Sequence, residues 1–398
     1  MDILRLVAMA MLASSFLATS GCLHRSLEAA ENQYECEYNG AIDSTTGALY
    51  DPETTERPSP KPIVKRLEFT DEGEVVNRCA WSDALFEVKG LPSQSQRNPK
   101  LIVFYIHGWK HDNSNDDEDL KQFTKLVQEL DSTELSRERP RDVIGIFISW
   151  PGKSLNIPIL ENLSFWGRKG GADRVSAAGN VTKFISSAYN VSRIQHNKDD
   201  YIVGIGHSFG ARILYSSVSP ILLHAMAVSH PGARLGTYGK IHGSIDLTIL
   251  LNPAFEASKY TAIDASRRHQ EEFNEAQPPL ILTISTETDL ATKFAFPLGQ
   301  ILGTRWRARE RTTLGNYGAY RTHYLQEQEG SSGIDGVWYD NFCTSGLCLV
   351  RDNPISGFPF IFAKTNGSVL PGHNGIWEPP FTKWLADFIE MSSDQRIK

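Results

Sequence analysis

The chain has 398 residues, 40% hydrophobic and 22% charged, enough for one large α/β domain with insertions or for two smaller domains. Its formal net charge of -7 provides no basic stripe, so nucleic acid and other polyanions are not expected as partners.

In chain order, residues 1–22, "MDILRLVAMAMLASSFLATSGC", come first. One basic residue, Arg5, precedes an apolar run too short and too rich in small residues to span a bilayer stably, and a small-residue cleavage region follows. This pattern predicts an export signal over residues 1–21. Its end, Thr19-Ser20-Gly21-Cys22, resembles the lipobox of bacterial lipoproteins. The resemblance implies that Cys22 is lipidated and holds the mature chain to a membrane of the cell envelope. Thr19 stands where an aliphatic residue is usual, so cleavage after Ser20 or nearby, without a lipid, stays open. Residues 22–62 are acidic, turn-rich and poor in large aliphatics, and they end in "ETTERPSPKP", which reads as a spacer.

The chain has 5 cysteines, an odd number, which in an exported protein needs one of them outside disulfide pairing. Lipidation of Cys22 meets that need. Cys343 and Cys348, in "CTSGLC", are then a candidate disulfide closing a small loop, and Cys36 with Cys79 would pin the N-terminal segment to the body. Four free thiols are the alternative. No cysteine or histidine cluster has zinc-site spacing, and neither a metal nor a cofactor is expected.

Residues 63–398 read as one folded domain, with one or two leading strands over residues 63–88. "LIVFYIHG" (101–108), "DVIGIFISW" (142–150), "YIVGIGHS" (201–208), "DLTILLNPA" (246–254) and "PLILTIST" (279–286) are continuous apolar runs. Strands of that kind are buried on both faces, as in a parallel sheet covered by helices. Helix-period segments alternate with them: "DEDLKQFTKLVQEL", "DRVSAAGNVTKFISSAY", "ARILYSSVSPILLHAMAV" and "SRRHQEEFNEA". The predicted fold class is therefore α/β, one doubly wound and mostly parallel sheet with helices on both faces. "HDNSNDDED" has the acidic spacing of a calcium loop without its turn glycine or distal glutamate, so it reads as an acidic helix start.

Function in an open parallel sheet collects at the carboxyl ends of its strands, and Ser208 stands at such an end with a helix beginning directly after it. So tight a reversal strains the central residue and brings two chain segments together, which requires small flanking residues. In "GHSFG", Gly206 and Gly210 meet that need around His207, Ser208 and Phe209. This G-x-S-x-G turn between strand and helix resembles the nucleophile elbow of the α/β-hydrolase superfamily. The resemblance spans roughly residues 63–392 through "HGW", "GHSFG", "TETDLAT" and "PGHNGIW", in that order.

The resemblance implies Ser208 as nucleophile, with the backbone N–H groups of Phe209 and Trp109 forming an oxyanion hole. It implies an acid in the loop after "PLILTIST", with Asp289 preferred over Glu287 and Glu256. The base it implies is His373, between the last strand "FPFIFAKT" and the C-terminal helix, with His323 in reserve. The stretch from Asp289 to His373 is longer than a helix and a strand require, and residues 304–357 are expected to form a cap or lid over the strand ends. The implied activity is cleavage of a small-molecule or lipid carboxylic ester by acyl transfer. Thioesters, amides and transfer to an alcohol use the same groups. The rival reading is a non-catalytic envelope lipoprotein that keeps the fold for binding.

Overall fold

The structure, a computed structural model, describes residues 63–90, 98–152, 161–194, 199–229, 239–269, 273–274, 277–289, 292, 307–328, 340–352 and 358–397. The expected export signal, Cys22 and the spacer lie outside the described residues.

A leading strand β1 (Ile63–Glu68) comes first, and each of the five apolar runs is a strand: β2 (Lys100–Ile106), β3 (Asp142–Ser149), β4 (Tyr201–His207), β5 (Leu247–Leu251) and β6 (Ile281–Thr286). Every residue of β2, β4, β5 and β6 is buried, as unbroken apolar runs require when both faces are covered. β2 pairs in parallel on both sides, with Val103 between Gly145 of β3 and Val203 of β4. β7 (His323–Glu327), β8 (Asn341–Thr344), β9 (Leu347–Arg351) and β10 (Phe360–Thr365) complete a 10-stranded sheet of order β1-β3-β2-β4-β5-β6-β10-β7-β9-β8. All pairings are parallel as far as β7; β9 and β8 then add antiparallel.

Alternate residues of each strand enter separate cores. On one face Ile102, Phe104 and Ile106 pack with α1 (Arg78–Lys89), α3 (Glu161–Ala177), α4 (Asn180–Ile194), α5 (Phe209–Ser229) and α6 (Thr261–His269). On the other, Leu101, Val103 and Tyr105 pack with α2 (Glu118–Leu135) and the C-terminal helix Pro379–Ile397, whose Phe381, Trp384 and Phe388 are fully buried. The architecture is thus α/β, a mostly parallel sheet between two helical layers. α5 leaves the sheet at Ser208 and carries Pro220 within it.

Three expectations need correction. Residues 78–89 are a helix and not a second leading strand: Asn77 Oδ1 accepts from the amides of Cys79 and Ala80 at 2.8 and 3.2 Å, and Gly90 ends the helix at φ 74°. The segment read as one helix over "DRVSAAGNVTKFISSAY" is split between α3 and α4 by Gly179, whose φ of 74° a right-handed helix cannot continue through. Finally, residues 323–327, 341–344 and 347–351 of the expected cap extend the sheet edge as β7, β8 and β9 instead of standing over the strand ends. Residues 307–320 pack beside the segment that follows β5, where Leu314 N donates to Phe255 O at 2.9 Å and Ala257 N to Thr312 O at 2.9 Å.

Candidate active site

Ser208 occupies the single position between β4 and α5, in the left-handed region at φ 56°. A non-glycine residue held there costs about 1–3 kcal/mol, so the surroundings must enforce it. Two backbone bonds to the end of β5 do so: Ser208 N donates to Leu251 O at 3.0 Å, and Ala254 N donates to Ser208 O at 3.1 Å. The flanking glycines are equally constrained. A Cβ on Gly206 would lie 2.6 Å from Ala211 Cα, and one on Gly210 would lie 2.5 Å from His107 O and closer still to Ile106 O. Both obstacles are backbone, which has nowhere to retreat.

The turn presents the Ser208 hydroxyl to an imidazole. Ser208 Oγ is 2.7 Å from His373 Nε2, and His373 Nδ1 is 2.7 Å from Asp289 Oδ2. A proton on Nδ1 is donated to the carboxylate, which leaves Nε2 to accept from the hydroxyl. Asp289 is fully buried. Thr292 donates twice to it, through its amide to Oδ1 at 3.0 Å and through its hydroxyl to Oδ2 at 2.5 Å. Burial alone would raise the Asp289 carboxyl, but the hydrogen bonds and charge of His373 and the two bonds from Thr292 outweigh it and hold the carboxyl below its usual range. Behind Thr292, the Asn316 amide donates to its hydroxyl oxygen at 3.1 Å, and Lys364 donates to Asn316 Oδ1.

The loop carrying His373 is tied at its backbone. The His373 carbonyl accepts from His207 Nε2 and from Asn252 Nδ2, each at 2.9 Å. Asn252 is itself oriented by Thr286 N, which donates to its Oδ1 at 3.0 Å. Gly372 N donates to Thr288 Oγ1 at 3.1 Å. Complete burial, with a smaller contribution from the His373 charge, pushes the His207 imidazole down to about 4, so it is neutral at ordinary pH.

The loop after β2 lies against the serine. A Cβ on Gly108 would come 3.1 Å from Ser208 Cβ, which puts the "HGW" segment beside the nucleophile candidate. His107 fixes this segment from beneath: its Nδ1–H donates to Gly108 O at 2.8 Å, and its Nε2 accepts from Trp150 N at 3.2 Å. The Trp150 indole N–H donates to His107 O at 2.9 Å, and Trp150 is buried. Trp109 follows Gly108, and Phe209 is the first residue of α5, where the helix dipole is positive.

The alternative site residues are engaged elsewhere. His323 is buried in β7 with Nδ1 2.7 Å from Thr322 Oγ1, across β10 from β6. Glu256 pairs with Arg212 at 2.7 Å and Lys169 at 3.0 Å; burial would raise its carboxyl, but those cations hold it down at about 2. Glu287 is exposed. Cys343 and Cys348 form a disulfide across the β8–β9 hairpin. Cys79 is also disulfide-bonded, while Cys36 lies outside the described residues. Among the described residues no three His, Cys, Asp or Glu side chains form a group that could hold a metal ion.

Sequence reasoning missed Thr292, Asn316 and Asn252. Thr292, in "TDLAT", has a readable signal, since a threonine three residues after an aspartate commonly bonds back to it. Asn252 had a weaker one, an asparagine before proline at a strand end, and its φ of 42° suits that residue type. Nothing local to Asn316 points to the acid.

No family model and no curated protein matches the chain. Among solved structures it is similar to esterase B from Lactobacillus rhamnosis in a C6-C4 SN3 inhibited form, at 15% identity and TM-score 0.30, over 76% of this chain and 80% of that one. A form of the same esterase inhibited by a C4-C4 SN3 tributyrin phosphonate gives 14% identity and TM-score 0.30, over 76% and 79%. Likeness at this level of superposition and identity does not bear on what this chain does.

Proposed function

We propose that this chain is a serine hydrolase of the α/β-hydrolase type that cleaves carboxylic esters through an acyl-enzyme. The observation that carries the reading is the unbroken line of hydrogen bonds from Ser208 Oγ through His373 to the buried Asp289, with Ser208 on a positive-φ turn at the carboxyl ends of parallel strands. A serine hydroxyl is a weak nucleophile, and an imidazole within 2.7 Å of it, with its other nitrogen on a carboxylate, is what activation demands. Ser208 Oγ attacks the ester carbonyl as His373 Nε2 takes its proton. The resulting imidazolium is stabilised by Asp289. The oxyanion is held by the backbone amides of Phe209 and Trp109. His373 then protonates the leaving alkoxide, and a water deprotonated by His373 releases the acid.

The substrate is a small-molecule or lipid ester; thioesters, amides and transfer to an alcohol call on the same groups. Export and lipidation at Cys22 belong to the same proposal and rest on the sequence of residues 1–22. The mass of the mature N-terminus tests them: a diacylglyceryl adduct on Cys22 supports the anchor, and an unmodified start after Ser20 removes it.

Hydrolysis of p-nitrophenyl butyrate by the wild type and by Ser208→Ala tests the enzyme. A loss of about 10⁴-fold or more in kcat is expected. Equal rates would favour the non-catalytic binding reading.

A further inference from the structure

Asp119, the second residue of α2, lies outside the line from Ser208 to Asp289, yet it touches the loops on both sides of it. Its Oδ1 accepts from the Trp377 indole N–H at 2.8 Å, and its Oδ2 accepts from the Tyr105 hydroxyl at 2.7 Å. Trp377 ends the 3-10 turn Gly375–Trp377, which starts two residues after His373. The same Oδ1 faces His111 Nε2 at 3.6 Å. His111 follows Trp109 by two residues, on the segment pinned where Lys110 N donates to Gly152 O at 3.1 Å.

Helix capping does not account for this carboxylate. Asp117 caps α2, its Oδ1 accepting from Asp119 N at 2.9 Å and Leu120 N at 3.3 Å, and it also meets His111 Nδ1 at 3.2 Å. The partners of Asp119 are side chains from β2, from the loop after β2 and from the loop of His373. Asp119 is buried, and a buried carboxylate is tolerated only when its oxygens are satisfied and its charge is met. Tyr105 and Trp377 satisfy the oxygens, and His111 meets the charge. Burial disfavours a charged His111, but the hydrogen bond to Asp117 and the charges of Asp119, Asp117 and Asp112 outweigh it and raise the imidazole above its ordinary value. The neighbouring His107 ring, 6.1 Å away, is buried and lowered, so it does not compete for the cation.

We infer that Asp119 is a positioning residue that holds the loop of the proposed oxyanion donor Trp109 and the loop of the proposed base His373 in fixed relation, through His111 and Trp377. The role rests on the hydrolase reading; the tie between the loops does not. Asp119 and Trp377 are 258 positions apart in sequence, so the bond joins two segments that only the fold brings together.

Hydrogen exchange of the full chain tests the tie. In Asp119→Asn, amides in both 107–113 and 371–378 are expected to exchange about tenfold faster or more. In Trp377→Phe, which removes the indole donor, keeps an aromatic ring beside Tyr105 and stands in if the first variant does not fold, the second segment alone is expected to loosen. Exchange that is unchanged in both segments, or altered only within α2, overturns the inference. Ester hydrolysis by the same variants tests the role: kcat is expected to fall about ten- to a hundredfold with KM within about twofold, since loop displacement costs alignment and not substrate contact. A kcat equal to wild type in a variant with loosened loops overturns the positioning role. If the wild type itself hydrolyses no ester, the hydrolase reading fails while exchange still judges the tie.

Discussion

His207 donates its Nε2 proton to the backbone carbonyl of His373 at 2.9 Å, so the residue before the proposed nucleophile holds the loop that carries the proposed base. Its other ring nitrogen, Nδ1, is buried without a hydrogen-bond partner, and a Cβ on Gly108 would lie 2.8 Å from it. A second proton there has no acceptor and would stand beside His373.

An acid-sensitive stability follows. Burial, with the charge of His373, takes His207 from 6.5 to about 4, so between those values the unfolded chain binds more protons than the folded one. The contribution of this group is complete above pH 6.5 and is lost as pH falls towards 4, by about 3 kcal/mol in total. Urea midpoints of wild type and His207→Gln across that window check it. The variant should lack this part of the slope.

The elbow glycines are expected to tolerate no side chain. Gly210→Ala drives a Cβ into the carbonyls of Ile106 and His107, and neither can move without breaking β2 or the turn after it. A loss of about 3 kcal/mol or more is expected. Gly318→Ala, where nothing lies within 4 Å of the added carbon, should stay within about 0.5 kcal/mol of wild type. Thermal melts of the two variants decide.

At alkaline pH the weak point is expected on the opposite helical layer. Burial, together with the carboxylate of Glu134, pushes Glu390 up to about 8, even though Arg137 and Arg141 each donate to it at 2.7 Å. The folded chain therefore holds more protons than the unfolded one between pH 4.5 and about 8, and stability declines as pH rises through that window. Glu390→Gln should flatten the decline in melting temperature without moving the activity of Ser208.

Replacement of the acid separates orientation from shape. In Asp289→Asn the Thr292 amide keeps an acceptor in Oδ1, so the fold is expected to hold, while the charge that stabilises an imidazolium is gone. kcat is expected to fall about 10³- to 10⁴-fold. Thr292→Val, which keeps the charge and removes one hydroxyl donor, should cost about tenfold; steady-state kinetics on one ester compares them.

Much of this was readable where the constraint is local. Buried strands show as unbroken apolar runs, and Gly206 and Gly210 reveal a close approach of backbone before its partner is known. Helix α1 carried readable ends, Asn77 and Gly90, which mark residues 78–89 as a helix once they are read as caps. β7 to β9 were hidden for a different reason: each is four or five residues long and becomes a strand only by adding to the edge at β10. The supports of the site depend on tertiary geometry in the same way. Asn316 reaches Thr292 across 24 positions and Trp377 reaches Asp119 across 258, distances over which sequence alone sets no register.

The central claim is that the Ser208 hydroxyl is the activated nucleophile of this chain. Incubation of the wild type with a fluorophosphonate, followed by mass spectrometry of its peptides, tests this most directly. The account predicts one phosphonylated residue, Ser208, with labelling lost in His373→Ala. Labelling confined to another serine, or a wild type left unmodified under conditions that label a known serine esterase, would contradict it.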